Sequence, residues 1–291
     1  MHWRSPLGQR ARLIVGLLRR VTYRREVISL AGKLDLRRIL RRWYYWWARP
    51  WDGIVRVKLA GTHAQFFVRS PEELRLLESV GGAGGEQRVL ERLVSFLRPG
   101  DVVFDVGSNV GLYAILLAKV VGERGLVIAF EPSSQAYAHL LDNIKLNGLT
   151  NIRCFRKALG ERSGHAKLYS GEVIGGASLV HISEGNGRAE VVDIVEGDQC
   201  VVGENLPLPR AVKIDVEGYE CAVIEGLRRT VASHACELVC CEVHPARLPA
   251  AVKPEAVVDL LRSIGFGRID TYPRWDKTFH LVAYKGTSLA S

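Results

Sequence analysis

Apolar strands that alternate with helical stretches restrict the fold of this 291-residue chain more than any other feature. The apolar runs cover residues 102–106, 126–131, 152–158, 211–216 and 238–244, and the helical stretches cover 110–120, 134–146, 219–232 and 254–264. Strands that are apolar almost throughout occur in parallel sheets with helices on both faces. The sequence therefore predicts an α/β fold with a mostly parallel sheet. Two closing runs, 268–272 and 278–285, predict a hairpin that makes the last strand antiparallel.

The N-terminal part of the chain has a different character and carries the positive charge. Residues 1–50 contain 13 basic and two acidic residues, a net charge of +11, whereas the other 241 residues have a net charge of −2. This balance excludes a uniformly basic nucleic-acid-binding domain. Residues 10–47 have helical spacing, and 54–69 alternate as a hairpin around Gly61. Because glycines interrupt the chain at 81–85, we predict a basic helical arm with a short hairpin over 1–80 and the α/β domain over 81–291.

The cysteines and the hydropathy of the chain indicate its compartment. The six cysteines form no C-x-x-C pair, which favours buried thiols in a reducing compartment over disulfides or a metal site. No apolar run is long enough to cross a bilayer. We therefore expect a cytoplasmic protein, and the sequence motifs indicate no metal ligands.

A glycine-rich loop follows the first strand of the α/β domain. In the segment from Asp105 to Gly111, Gly107 allows a ligand to approach the backbone, and Gly111 allows the next helix to pack closely on the strand. Asn109 is expected to cap that helix, whose N-terminal amides favour a carboxylate. Asp105 offers a negative group to an ammonium. A carboxylate beside an ammonium is the head group of an amino acid.

An acidic residue at the end of the second strand extends this pattern. Glu131 comes twenty residues after Gly111, where a carboxylate accepts hydrogen bonds from a ribose diol. The loop lacks both the dinucleotide G-x-G-x-x-G motif and the Gly-Lys-Ser/Thr of a P-loop. A ligand with adenosine at one end and an amino acid at the other fits best. The sequence therefore predicts S-adenosylmethionine as the cofactor.

The fourth strand supplies candidates for the chemistry. Asp215 and Glu217 are two residues apart, so on an extended backbone they point the same way, towards the crevice at the carboxyl ends of the strands. Glu217 is the first candidate for a base that accepts the proton of an attacking hydroxyl, and Asp215 is the second. Capping of the following helix is the alternative role for Glu217. His244, at the end of the next strand, is a third candidate base.

The order of these blocks resembles the FkbM-type family of S-adenosylmethionine-dependent methyltransferases. The resemblance covers residues 86–285 and rests on GDVVFDVGSNVGLYA, VIAFEPS, NGLTNIRCFRKALGE, GGASLV, VKIDVEGYE and CEVHP. It implies a Rossmann-like class I methyltransferase fold, with a seven-stranded sheet whose last strand is antiparallel. It also implies O-methylation of a hydroxyl as the activity.

The resemblance extends to individual positions. Matched to the cofactor loop are Asp105, Gly107, Asn109 and Gly111, with Ser108 where the family commonly has alanine. Glu131 matches the residue on the ribose, Ala158 lies near the adenine segment, and Asp215 and Glu217 match the fourth-strand signature. The segment 1–80 lies outside the shared blocks.

Three functions compete on these observations. We expect an O-methyltransferase that acts on a hydroxyl of a sugar, a polyketide or a lipid-linked glycan. The alternative is an RNA or DNA methyltransferase that uses the basic arm, but the body has a net charge of −2. The sequence Asp215-Val216-Glu217-Gly218 also differs from the Asn-Pro-Pro-Tyr and Asp-Pro-Pro-Tyr signatures of amine methylation. A non-enzymatic nucleoside-binding protein is disfavoured because both strand-end carboxylates are present.

The arm itself has two interpretations. Arginines interleave with the aromatic run 43–47, which is typical of a helix at a membrane interface, where guanidinium groups meet anionic lipids. We therefore expect residues 10–50 to associate weakly with the inner face of an anionic membrane. The alternative is an amphipathic helix that packs on the body as a cap.

Overall fold

A seven-stranded sheet forms the centre of the protein. The computed structural model describes residues 36–80, 85–170, 178–179, 188–274 and 277–286. The helices are α1 Leu36–Ala48, α2 Pro71–Ser79, α3 Gly85–Phe96, α4 Leu112–Val121, α5 Ser134–Leu146, α6 Gly197–Gly203, α7 Glu220–Gly226, α8 Arg228–Ala232 and α9 Glu255–Ser263. The strands are β1 Ile54–Leu59, β2 Thr62–Phe67, β3 Val102–Val106, β4 Leu126–Phe130, β5 Ile152–Phe155, β6 Ala158–Gly160, β7 Gly164–Ser170, β8 Ser178–Leu179, β9 Arg188–Glu196, β10 Ala211–Ile214, β11 Leu238–Val243, β12 Phe266–Pro273 and β13 Phe279–Lys285.

The order of the strands confirms the predicted fold class. In the central sheet it is β12-β13-β11-β10-β3-β4-β5, and β13 runs antiparallel to both of its neighbours. The pairs within β11-β10-β3-β4-β5 are all parallel. Strands β10 and β11 are buried at every residue, as their apolar sequences require. This is a Rossmann-like, mostly parallel sheet with an antiparallel last strand.

The sheet reverses its strand order beside β3. Val106, the last residue of β3, lies opposite Ile214 of β10 on one side and Phe130 of β4 on the other. In sheets of this type, ligands bind at the carboxyl ends of the strands where the order reverses. The loops after β3, β4 and β10 therefore surround the crevice in which we place the functional site.

Three predicted elements differ from the structure. The helix predicted over 219–232 is divided between α7 and α8, and the run 152–158 is divided between β5 of the central sheet and β6 of a second sheet. The helix predicted over 110–120 begins at Leu112, because Gly111 has a left-handed backbone with a φ of +92°. The sequence analysis missed α2, α3 and α6. Of the helix predicted over 10–47, only α1 lies within the described residues.

The N-terminal hairpin is confirmed and packs on the sheet domain. Strands β1 and β2 pair antiparallel around Gly61, and the Phe66 side chain is fully buried in the cluster that also contains Leu116 of α4. The Phe67 amide donates to Asn143 Oδ1 of α5 at 2.9 Å. The hairpin thus shares a core with the sheet, and its predicted assignment to a separate unit over 1–80 is testable.

The described residues also show the state of the cysteines and the lengths of the helices. All six cysteines are free thiols, and four of them are buried. None of the helices within the described ranges has both the length and the apolar character needed to cross a bilayer.

We expect Phe66→Ala to lower the free energy of unfolding by about 3–5 kcal/mol, because it removes a buried ring from the shared core. Chemical denaturation followed by circular dichroism measures this change. Trp51→Ala is the matched control, since Trp51 is 93% exposed, and should change the free energy of unfolding by less than about 0.5 kcal/mol. An unchanged main transition in Phe66→Ala would instead make the hairpin a separate folding unit.

Candidate cofactor and active site

The glycine loop after β3 brings two strands close together. Gly107 has a φ of +79°, and a side chain there would overlap the carbonyl oxygen of Asp215 at the end of β10. The structure therefore gives Gly107 a role that the sequence analysis did not predict, namely to admit the backbone of the neighbouring strand. The approach of a ligand to Gly107 stays a prediction.

Two other predictions about this loop are wrong. Asn109 does not cap α4: the N-cap is Gly111, without a side-chain hydrogen bond, and Asn109 lies two residues earlier with a φ of +49°. A turn closed by the Gly111 amide and the Ser108 carbonyl, at 2.8 Å, delays the start of the helix. Gly111 makes room for a helix rather than for the strand, since a side chain there would lie 2.6 Å from Leu140 of α5.

Ser108 supports the loop from within. Its side chain is buried, and the hydroxyl donates to the Asp105 carbonyl at 2.8 Å. This bond ties the loop back to the end of β3. The serine that replaces the common alanine of the family is therefore satisfied internally.

Asp105 forms a buried ion pair that the sequence analysis did not predict. Its carboxylate is fully buried, and Oδ1 lies 3.1 Å from Nζ of Lys213, the polar residue in the middle of β10. The Lys213 ammonium also donates to the Gly107 carbonyl at 2.8 Å. Among the described residues, neither oxygen of Asp105 accepts a hydrogen bond of good geometry. A carboxylate with this spare capacity fits the ammonium of an amino-acid ligand.

Glu131 lies at the end of β4 and faces the same loop. Its Oε2 accepts from the Asn109 amide at 2.8 Å, and its Oε1 accepts from the Ser133 amide at 2.9 Å. Burial raises the pKa of Glu131 to about 7, although these two hydrogen bonds and the Lys213 charge lower it. Each oxygen keeps an acceptor site for a ribose hydroxyl.

Ala158 lies apart from these residues in the hydrogen-bond pattern. It is buried in β6, where it pairs with Ile194 of β9 in the second sheet. At the end of β5, the Phe155 ring stacks on Phe130 at 5.3 Å within the buried core. The adenine role of Ala158 stays a prediction.

The loop after β10 brings the two predicted carboxylates together by a different route from the one expected. The extended backbone ends at Ile214, and Glu217 has a left-handed φ of +57°. Gly218 follows with a φ of +105°, and a side chain there would overlap the Arg247 carbonyl. The prediction that an extended strand aligns Asp215 and Glu217 is therefore wrong. A non-glycine residue in this conformation costs about 1–3 kcal/mol and is characteristic of functional sites.

The alternative role of Glu217 as a helix cap is also wrong. Helix α7 has Tyr219 as its N-cap, and the Gly218 amide donates to Glu220 Oε1 at 2.9 Å. The Glu217 carboxylate instead pairs with the Arg247 guanidinium and with His244.

His244 is the point at which the carboxylates meet. Its Nδ1 lies 2.9 Å from Glu220 Oε1, and its Nε2 lies 3.2 Å from Glu217 Oε2 and 3.8 Å from Asp215 Oδ1. Burial lowers the pKa of His244, but the hydrogen bond with Glu220 and the charges of Asp215 and Glu242 outweigh burial and raise it. We call Asp215, Glu217 and His244 the carboxylate–histidine cluster.

Glu242 closes the far side of this cluster. Its Oε1 accepts from Arg274 at 2.8 Å, and its Oε2 lies 3.3 Å from His280 Nε2. Burial raises the pKa of Glu242, but the hydrogen bond with His280 and the charge of Arg274 outweigh burial and lower the pKa to about 2. Glu242 is therefore an ionised structural partner of the site.

The match to protein families identifies the protein class. Residues 105–267, more than half of the chain, match the family model described as "Methyltransferase FkbM domain". The chain belongs to the FkbM family of methyltransferases. Its cofactor is therefore S-adenosylmethionine, as the sequence predicted.

Known relatives agree with this assignment. The chain is 30% identical over 219 residues to the hexuronic acid methyltransferase AglP of Haloferax volcanii. The aligned region covers 74% of this chain and 84% of AglP. A precorrin-6y C5,15-methyltransferase of Geobacter metallireducens aligns with a TM-score of 0.43 and 14% identity over 69% of this chain and 89% of its own. A SAM-dependent methyltransferase of Aquifex aeolicus aligns with a TM-score of 0.41 and 15% identity, over 74% of this chain and 98% of its own. These two likenesses are weak, and the fold assignment rests on the strand order itself.

The described residues fit the cofactor. Asp105 has acceptor capacity for its ammonium, and Glu131 has acceptor capacity for its ribose hydroxyls. When bound, S-adenosylmethionine supplies an electrophilic methyl group on a sulfonium. We propose that Asp105, Gly107, Ser108, Asn109, Gly111, Glu131 and Ala158 form its site.

Binding of S-adenosylmethionine is expected to release part of a proton at pH 7, because ribose hydroxyls favour the ionised form of Glu131, whose pKa is about 7 without ligand. Affinity should therefore rise up to about tenfold between pH 6 and pH 8. Isothermal titration calorimetry in two buffers of different ionisation enthalpy measures the proton release.

Glu131→Gln should remove most of this buffer dependence, whereas the exposed Glu123→Gln should keep it. Equal proton release by the wild type and Glu131→Gln would contradict the ribose role. The stability of the unliganded protein changes with pH in the opposite direction to the cofactor affinity. Because the pKa of Glu131 is higher in the folded protein than in the unfolded chain, Glu131 contributes to the free energy of unfolding below about pH 4.5, and this contribution is lost as the pH rises through 7.

Proposed function

We propose that this methyltransferase transfers the methyl group to a hydroxyl of a sugar within a glycan or on a lipid carrier. The observation that carries the proposal is the carboxylate–histidine cluster, which lies at the ends of β10 and β11 beside the strand that holds the cofactor loop. A relative of 30% identity is named for methylation of a hexuronic acid, which supports a sugar acceptor.

The chemistry explains why such a cluster is needed. A hydroxyl is a poor nucleophile until its proton is removed, so O-methylation benefits from a base at the reacting oxygen. His244 Nε2 lies 3.2 Å from Glu217 Oε2 and 3.8 Å from Asp215 Oδ1, so the three side chains share one charged environment. We propose that this cluster orients the hydroxyl and takes its proton, with Glu217 the first candidate to contact it, Asp215 the second and His244 the third.

Glu220 has a positioning role behind this cluster. It is fully buried, and its hydrogen bond to His244 Nδ1 fixes the imidazole so that Nε2 faces the two carboxylates. Because His244 follows β11 and contacts Glu217, a fixed imidazole holds the strained loop at Glu217 at a constant distance from β11. The cluster is thus assembled before any acceptor binds.

The charges of the site also bear on the nucleic-acid alternative. Four carboxylates, of Asp215, Glu217, Glu220 and Glu242, lie within 3.8 Å of one imidazole. A polyanionic strand would be repelled here more strongly than a sugar with a single carboxylate. This observation favours a sugar hydroxyl over RNA or DNA.

We expect Glu217→Gln to reduce turnover by about 100-fold or more while S-adenosylmethionine affinity changes less than twofold, because the cofactor loop lies on β3. Transfer of a tritiated methyl group to uronic-acid oligosaccharides and lipid-linked glycans measures turnover, and calorimetry measures affinity. The exposed Glu255→Gln is the control and should retain full turnover. Transfer of the label to RNA in place of glycans would overturn the proposal.

We propose further that α1 attaches the protein to an anionic membrane surface on the cytoplasmic side. The structure supports parts of both interpretations of the arm. Tyr44 donates to Glu78 at 2.8 Å and Tyr45 to the Val68 carbonyl at 3.2 Å, so one side of α1 packs on the body as a cap. The other side of α1 carries Trp43, Trp46 and Trp47, and we call these residues together with Trp51, which follows the helix, the aromatic face.

The aromatic face suits the depth of lipid head groups. Its four indoles are between 55% and 93% exposed, which is unusual for tryptophan in water. Residues 1–50 carry a net charge of +11, complementary to anionic lipids. An indole brings an apolar body and one polar N–H to such an interface. A lipid-linked acceptor would lie at the same surface.

The double substitution Trp46→Ala/Trp47→Ala should weaken binding to vesicles with anionic lipids at least about tenfold, since each immersed indole contributes on the order of 1 kcal/mol. Vesicle sedimentation at low and high salt measures the affinity, and neutral vesicles should bind weakly at both. Val202→Ala removes an apolar side chain that is 74% exposed elsewhere and serves as the control. Undiminished sedimentation of the double variant would contradict the role of the aromatic face.

A further inference from the structure

The carboxylate–histidine cluster also has the composition of a metal ligand set. Asp215, Glu217 and His244 each offer one ligand atom, and the three atoms lie within 4.8 Å of one another. The donors come from the loop after β10 and from the end of β11, so two elements of the sheet hold them in place. Two carboxylates and one imidazole are ligands that divalent cations such as Mn²⁺ accept.

The orientation of the imidazole points to a positive charge at this position. Glu220 Oε1 accepts a hydrogen bond from His244 Nδ1 at 2.9 Å. A neutral His244 therefore carries its hydrogen on Nδ1, and the lone pair of its Nε2 faces the carboxylates of Asp215 and Glu217. A lone pair that faces Glu217 Oε2 at 3.2 Å and Asp215 Oδ1 at 3.8 Å is repelled unless a cation lies between them. That cation is either a proton or a metal ion. A carboxylate on the second nitrogen is the usual companion of a metal-bound histidine.

The charge balance of the described surroundings leaves room for a divalent cation. The carboxylates are those of Asp105, Asp215, Glu217, Glu220 and Glu242, and the side chains with fixed positive charge that pair with them are Lys213, Arg247 and Arg274. The sum is −2 with neutral imidazoles, and each imidazole that takes up a proton raises it by one. Glu220 adds a second indication, since it is fully buried and its Oε2 accepts no hydrogen bond within the described part of the chain. Buried, unbalanced carboxylates of this kind stabilise a cation beside them.

We propose that Asp215, Glu217 and His244 bind one divalent cation of the Mg²⁺ or Mn²⁺ class. The Glu217 carboxylate serves as a ligand when the Arg247 guanidinium, 37% exposed on the loop after β11, turns outwards to solvent. Three protein ligands leave the other coordination positions to water and to an acceptor oxygen. Glu220 holds the histidine from behind and does not contact the cation.

The cation would have a defined part in methyl transfer, and this part rests on the proposed function. A sugar hydroxyl bound to the cation has a lowered pKa, so its O–H bond breaks and the proton passes to a carboxylate oxygen of the carboxylate–histidine cluster that does not ligate the cation, and from there to solvent. The oxygen then forms a bond to the methyl carbon as the bond between that carbon and the sulfonium breaks. The cation also offsets the repulsion between this acidic site and an acidic sugar. Cation binding itself stands independently of the identity of the acceptor.

The test uses the full chain, stripped of metal and without cofactor or acceptor, titrated with Mn²⁺ alone. Electron paramagnetic resonance of free Mn²⁺ and isothermal titration calorimetry should give one site per chain. Asp215→Asn and Glu217→Gln should each weaken that site at least about tenfold, because each removes a charged ligand. S-adenosylmethionine affinity measured on the same samples shows that the variants are folded.

Asp193→Asn is the matched control. Asp193 pairs with His165 at 3.0 Å in β7 and β9, an exposed carboxylate–histidine pair away from the site, so the variant should bind Mn²⁺ as the wild type does. Absence of a stoichiometric site, or equal Mn²⁺ affinity in the wild type, Asp215→Asn and Glu217→Gln, would overturn the proposal. If Mn²⁺ binds and its removal leaves sugar methylation unchanged, the catalytic part is overturned. If Mn²⁺ binds and no sugar is methylated, the cation site stands and the proposed function fails.

Discussion

The close approach of β3 and β10 at Gly107 is the constraint on which the rest of this structure depends. The Asp215 carbonyl occupies the place of a side chain at Gly107, and Lys213 reaches from β10 to the Gly107 carbonyl at 2.8 Å. The same ammonium neutralises buried Asp105 at 3.1 Å. Burial of this ion pair costs desolvation energy, so it contributes position rather than stability. One contact region therefore fixes the cofactor loop and the loop with the carboxylate–histidine cluster relative to each other.

The site beyond this contact region concentrates costly features. Glu217 has a left-handed backbone, Glu220 is a fully buried carboxylate, and His244 lies among four acidic groups. Each feature lowers the stability of the folded chain unless a partner compensates it. The apolar strands on both sides of the site, which are fully buried, supply that stability. A folded protein keeps such features where they serve binding or catalysis.

The fold was largely predictable because its strands are apolar runs with clear breaks. Val102–Val106 was predicted to the residue, since both of its faces are buried. The observed boundaries differ from the predicted ones where a glycine or a tertiary contact sets them, as at Gly111. Helix α2 begins with Ser70 as a cap that accepts from the Glu73 amide at 3.1 Å, followed by a proline, and both signals are visible in the sequence.

The site was predictable only in part for a related reason. Asp215, Glu217 and His244 lie at strand ends, and that position alone identifies them as candidates. Glu220 ends the VKIDVEGYE block and Arg247 follows three residues after His244, but their spacing does not show what they contact. The partners Arg274 and His280 come from a later loop and from the antiparallel strand, with no fixed spacing from the motif. Lys213 is recognisable in the sequence only as a lysine within an otherwise apolar strand. Only the folded arrangement shows that these side chains pair with the carboxylates at the carboxyl ends of β3, β10 and β11.

The central claim is that the cofactor lies between Glu131 and the carboxylate–histidine cluster. A crystal structure of the full chain with S-adenosylhomocysteine tests this most directly. The account predicts ribose hydroxyls that donate to Glu131 and a sulfur that faces Asp215, Glu217 and His244 across an open space for the acceptor. A sulfur directed away from these three side chains, or a ribose without contact to Glu131, would contradict it.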